Sequence, residues 1–96
     1  MDIEYWFGWY DDEYLKFDRV ENKRSNRPDL HAFLLLDSLV PGRDGKSDDM
    51  IGGAEHDEIY LSVDIEELEK VITEDQVLEL IRCGVRYNEE SLCMFA

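Results

Sequence analysis

Carboxylates dominate the side chains of this chain that could do chemistry: among 96 residues, 24 Asp and Glu stand against 10 Lys and Arg and two histidines. Two carboxylates can serve as acid and base on a glycosidic bond, but only where a cleft desolvates one of them. A chain this short has little volume for one. His31 and His56 lie far apart in the sequence. His56-Asp57-Glu58 offers three ligating side chains in a row, yet nothing has the paired Cys and His spacing of a zinc site, and Cys83 and Cys93 lie toward the other end. Asp44, Gly45, Ser47, Asp48 and Asp49 bring oxygen enough for calcium but lack the alternating Asp or Asn, the sixth-position Gly and the closing Glu of an EF-hand loop. Gly52-Gly53 has no Lys behind it to cradle phosphate, and no Gly-x-Ser-x-Gly elbow occurs. The expectation is a protein that is not an enzyme and uses no metal or cofactor.

What remains is charge. Acidic clusters fall at Asp11, Asp12 and Glu13, at Asp44, Asp48, Asp49, Glu55, Asp57 and Glu58, and at Glu66, Glu67, Glu74, Asp75 and Glu79. Each alone suits a solvated surface: Glu66 with Lys70 reads as an ordinary i,i+4 pair, and Glu74 with Asp75 complements the positive end of a helix. Together they present a field like that of a phosphate backbone. The formal net charge of −14 opposes nucleic acid and anionic lipid and draws in basic proteins. The predicted partner-binding set is therefore Asp11, Asp12, Glu13, Asp48, Asp49, Glu66, Glu67, Glu74, Asp75 and Glu79, with Trp6 and Trp9 as aromatic anchors. One segment runs the other way: Lys16, Arg19, Lys23, Arg24 and Arg27 outnumber Asp18 and Glu21.

The elements that would position these residues follow from periodicity. Residues 3–10 place Ile3, Tyr5, Phe7 and Trp9 on one face at period two and read as a strand. Asp11-Asp12 supplies a turn, and Tyr14 to Val20 alternates as a second strand, so residues 3–20 read as a hairpin. Residues 21–29 are a polar loop ending at Pro28 and Asp29. Leu30 to Val40 suits either a helix capped by Asp29 or a strand covered on both faces; the buried central strand is the reading taken. Residues 41–56 read as a mobile loop, and residues 58–63 as a half-exposed strand.

Two helices follow, separated by a break in phase. Ile65, Leu68 and Ile72 form a stripe that Asp75, Gln76 and Glu79 fail to continue. Asp64 with Glu67 and Thr73 with Gln76 each have the spacing of a capping box. The second helix buries Val77, Leu80 and Ile81 and stops at Gly84. Residues 85–87 and 92–95 close the chain as a hairpin. The predicted fold is a single α+β domain over residues 1–96, with a largely antiparallel sheet of five to six short strands and two short helices on one face.

Leu, Ile, Val and Phe make up 27 of the 96 residues, enough for one core. The chain begins without a basic and apolar secretory leader, has no apolar run long enough to span a bilayer, and reads as cytoplasmic, with both cysteines as reduced thiols. In its small size, excess carboxylates and expected exposed aromatic hairpin, it resembles the small acidic proteins of phages and mobile elements that block host defence, among them DNA-mimic inhibitors and anti-CRISPR proteins. The resemblance covers composition along the whole chain. It implies an inhibitor of a basic, nucleic-acid-handling effector or nuclease. The basic segment from Lys16 to Arg27 departs from a uniform mimic and leaves a two-signed surface open. An immunity or antitoxin-type protein that neutralises a toxin, and a small enzyme or metal-binding protein, are the other classes.

Overall fold

A computed structural model of the chain describes residues 2–41 and 49–95. It is an α+β fold: four α-helices and a four-stranded antiparallel sheet among the described residues, rather than two helices and five to six strands. Helix α1 is Ile3–Trp9 and α2 is Pro28–Leu39; strands β1 (Ile51–Glu55) and β2 (Glu58–Leu61) precede α3 (Ile65–Val71) and α4 (Glu74–Arg82); β3 (Arg86–Asn88) and β4 (Ser91–Phe95) complete the sheet in the order β1-β2-β4-β3.

The N-terminal segment corrects the hairpin expected over residues 3–20. Residues 3–9 are helical, followed by short 3-10 turns at Asp11–Glu13 and Phe17–Arg19. Over seven residues, period two and period 3.6 fit the apolar pattern about equally, and tertiary packing decides. Ile3 and Phe7, one turn apart, are both buried. Tyr5 stacks on Trp9 and Trp6 on Tyr10, each pair at i,i+4 with nearly parallel rings about 6 Å apart. Asp2 caps the helix by accepting the Tyr5 amide at 3.2 Å.

The central strand expected over residues 30–40 is likewise a helix. Pro28 opens α2 at its first turn, with Arg27 held extended before it. The run that follows is Leu, Ala and Phe with no Val or Ile until Val40, so it lacks the β-branched residues that a buried strand favours. His31, Ala32, Leu35 and Leu36 face inward. Within the segment read as a loop, residues 51–55 are strand β1, while residues 42–48 lie outside the described residues, and with them Asp44, Gly45, Ser47 and Asp48.

The C-terminal half matches its reading closely. Asp64 caps α3 by accepting the Glu66 and Glu67 amides. Thr73 and Gln76 form a complete capping box, each side chain accepting from the other's backbone N–H. Lys70 pairs with Glu67 at 3.2 Å, not with Glu66. Gly84 follows α4 at φ +97, a conformation that disfavours any side chain, while the nearest obstacle to a β-carbon there, Leu15 Cδ2 at 2.7 Å, is the tip of an exposed side chain that can move.

One apolar core joins every helix to the sheet: Ile3 and Phe7, Leu35 and Leu36, Leu68, Val77, Leu80 and Ile81 meet Leu61, Leu92 and Met94. Pairing of Leu61 with Leu92, Ile59 with Met94, and Tyr87 with Leu92 puts these on the core face. The opposite face carries Glu58, Tyr60, Arg86, Cys93 and Phe95, where Arg86 Nη1 lies 2.7 Å from Glu58 and its guanidinium sits over the Phe95 ring.

Candidate functional site

The predicted acidic residues do not form one group. Glu13, in the turn after α1, is absorbed into a local charge cluster: Arg82 reaches its Oε1 at 2.6 Å, and Arg19 and Lys16 reach its Oε2 at 2.7 and 3.5 Å. Its side chain is only 13% exposed, and the Arg82 hydrogen bond, ahead of the neighbouring cations, holds its carboxyl below the usual range. Glu74 accepts a hydrogen bond from the Tyr10 hydroxyl, which together with burial and nearby Asp75 raises the tyrosine's pKa. Glu79 faces the buried His31, whose Nε2 lies 3.6 Å away while its Nδ1 accepts the Arg24 amide at 3.0 Å. Glu67 is taken up by Lys70. Asp12, Asp49, Glu66 and Asp75 are exposed, on separate elements.

The basic segment is also largely spent within the fold. Lys16 and Arg19 turn back to Glu13, Lys23 sits 4.8 Å from the Phe17 ring centre, and the Arg24 backbone anchors to His31.

A different set of carboxylates converges, and it does so around Tyr87 on β3. A groove of about 640 Å³ runs between α1 and β3, lined by Glu4, Gly8 and Asp11 from the helix side and by residues 85–89 from the strand side, with Phe7, Tyr14 and Ile81 beneath. A second groove, of about 560 Å³, lies on the other side of Tyr87 and is lined by Asp64, Glu66, Glu69 and Glu90 together with Val63 and Ile65. Among the described residues Arg86 is the single cation lining either groove, and Glu58 neutralises it.

Three local structures bring these groups together. On α1, Glu4 and Gly8 share a face at i and i+4, and the 3-10 turn that follows the helix brings Asp11 to the same groove. Helix α3 meets the start of α1 where Glu69 accepts the Ile3 amide at 3.3 Å. The two-residue turn between β3 and β4 projects Glu89 and Glu90, both with positive φ. Burial first, and then the charges of Glu4, Glu90, Glu69 and Asp2, raise the pKa of the Tyr87 phenol.

Of the predicted residues, Asp11 and Glu66 belong to this region; Glu4, Asp64, Glu69, Glu89 and Glu90 were missed. A helical reading of residues 3–10 would have aligned Glu4 with Gly8 and set Asp11 just beyond the helix end. The aromatic anchors divide: Trp9 is 63% exposed and stacks on the exposed Tyr5, whereas Trp6 is half-buried against Tyr10.

The remaining chemical candidates lie elsewhere. His56, at the β1–β2 tip with φ 58, is exposed, and neither histidine lines either of these grooves. Among the described residues no three His, Cys, Asp or Glu are placed to hold a metal ion. Cys83 and Cys93 are buried free thiols, pushed up to about 12 and about 11 chiefly by burial. No described helix is long and apolar enough to cross a membrane. Comparison of the chain with protein-family models, with curated proteins and with solved structures gives no match.

Proposed function

We infer that this chain is a protein-binding module that inhibits a basic, nucleic-acid-handling partner, in the manner of the counter-defence proteins its composition resembles. The observation that carries this reading is the gathering of Glu4, Glu69 and Glu90 along the two grooves that share Tyr87, where Arg86, the single lining cation among the described residues, is paired with Glu58. Carboxylates brought together beside low-dielectric walls focus the field, speed the encounter with a cationic surface and compete with phosphates for it. The adjacent face of α1 adds the stacked Tyr5 and Trp9, whose rigid exposed rings suit the centre of a protein interface. Binding by this face would occlude the partner's nucleic-acid groove with no catalytic step, cofactor or metal. We assign the cytoplasm as the place of action, where Cys83 and Cys93 remain thiols.

The test is a pull-down from host lysate at two ionic strengths, using the wild-type chain and the triple variant Glu4→Lys, Glu69→Lys, Glu90→Lys. The expected result is a cationic protein retained at low salt, released at high salt, and lost by the triple variant. Capture that is insensitive to both salt and charge reversal overturns the electrostatic reading.

A further inference from the structure

The first groove has a strand edge as one of its walls. Strand β3 ends the sheet, and among the described residues β4 is its only strand neighbour. Pairing runs Arg86 with Cys93, Tyr87 with Leu92 and Asn88 with Ser91, closed by the two-residue turn at Glu89 and Glu90. In such a hairpin the pair flanking the turn exchanges both hydrogen bonds, and every second pair repeats this. Asn88 and Arg86 therefore bond to β4, and the Tyr87 N–H and C=O between them point to the open edge. Val85 anchors the strand from behind by donating to the Leu80 carbonyl at 3.0 Å.

Across the groove, α1 and the turn after it offer an acid, a gap and an acid. Gly8 lies between Glu4 and Asp11, and a β-carbon built on it would meet nothing within 4 Å. Glu4 and Gly8 are one helical turn apart, ~6 Å at 1.5 Å per residue, with Asp11 in the turn beyond, and the three residues of β3 facing them span ~10 Å of extended chain. An unpaired strand edge asks for a ligand with free backbone donors and acceptors, which an extended peptide has and a helix lacks. The carboxylates Glu4, Asp11 and Glu89 ask for positive charge, which excludes nucleic acid and disfavours a second copy of a chain with net charge −14.

We propose that the groove between α1 and β3 binds an extended, lysine- or arginine-bearing segment of the partner, which adds to β3 as a fifth strand through the Tyr87 N–H and C=O. Its cationic side chains reach Glu4, Asp11 and Glu89. The inference rests on the acidic-face reading above and deepens it: charge brings the partner in, and the strand edge selects an unfolded or loop segment. Gly8 keeps the groove open.

The probe is a blocked heptapeptide of alternating Lys and Thr, titrated into the isotope-labelled protein, beside the same peptide N-methylated at its central residue. Expected are amide shifts at residues 85–89 and at Glu4 to Asp11, slowed hydrogen exchange at Tyr87, and roughly tenfold weaker binding of the methylated peptide. Gly8→Phe should fill the groove and weaken binding by a similar factor with the circular dichroism spectrum retained, while Gly8→Ala leaves affinity nearly unchanged. If the unmodified peptide binds but methylation and Gly8→Phe change nothing, strand addition is wrong while the acidic-face reading stands. Strand addition also falls, and the acidic face again survives, if the peptide fails while protamine still binds and the triple charge variant abolishes it. A dimer in solution that Gly8→Phe disrupts assigns the groove to a second copy and overturns the proposal. If neither probe binds, both readings fall.

Discussion

Arg82 and Glu13 meet side by side, with Arg82 Nη2 and Nε at 2.6 and 3.1 Å from the same carboxylate oxygen. Because Arg19 takes the other oxygen and Arg82 Nη1 also donates to the Arg19 carbonyl, this one carboxylate ties the turn after α1 to the end of α4. Glu13 is thereby a fastening inside the fold, although sequence alone placed it with Asp11 and Asp12 as surface.

The pH dependence of that fastening has a definite sign. The pKa of Glu13 is lowered in the folded state, so its contribution is present above the ordinary carboxylate range and is lost as pH falls through the lowered value. Glu13→Gln should melt at a lower temperature than wild type at neutral pH, and the gap should close on acidification. Thermal melts at a series of pH values check this; a gap that stays constant would remove Glu13 from the account.

The turn at Glu89 and Glu90 separates stability from binding. Both residues hold positive φ, at 50 and 62, where a side chain is disfavoured and Asn-Gly would be the preferred pair. Glu90→Gly should raise stability by about 0.5–1 kcal/mol in denaturant unfolding, and it should also weaken the hold on a basic protein by removing one carboxylate beside Tyr87. A variant that loses stability contradicts the assigned backbone strain.

The two thiols should be inert in the native protein. Burial raises Cys83 to about 12 and Cys93 to about 11, so at pH 8 the thiolate is on the order of one part in a thousand or less, and access is blocked as well. Iodoacetamide should label neither until denaturant is added, as mass spectrometry would show. Rapid labelling of the folded chain would mean that the end of α4, at Cys83, or β4, at Cys93, opens readily.

How far the sequence could be read depended on the kind of signal each segment carries. The helices of the C-terminal half announce themselves through short-range chemistry, since Thr73 and Gln76 satisfy each other's amides whatever the rest of the chain does. Residues 3–10 carry no comparable local signal beyond Asp2. Their helix depends on Ile3 and Phe7 finding α4 and β3, and Phe7 lies 6.3 Å, centre to centre, from a tyrosine far along the chain. The candidate site inherited that error, because a hairpin sets Asp11 at its tip, away from Glu4, whereas the helix and the 3-10 turn after it bring both to one groove. Counting carboxylates along the chain found how many there are; only the fold tells which of them Arg82, Lys70 and Tyr10 have already claimed.

The crowd of anions at Tyr87 sets folding and recognition against each other when ions are added. In the native chain Glu4, Glu69 and Glu90 are held along the two grooves beside Tyr87 as charges of one sign, and unfolding lets them drift apart. Dissolved salt quiets that quarrel. The melting temperature should accordingly climb between low and physiological ionic strength over the same interval in which a cationic partner lets go, so that the conditions in which the molecule is most durable are those in which it holds least.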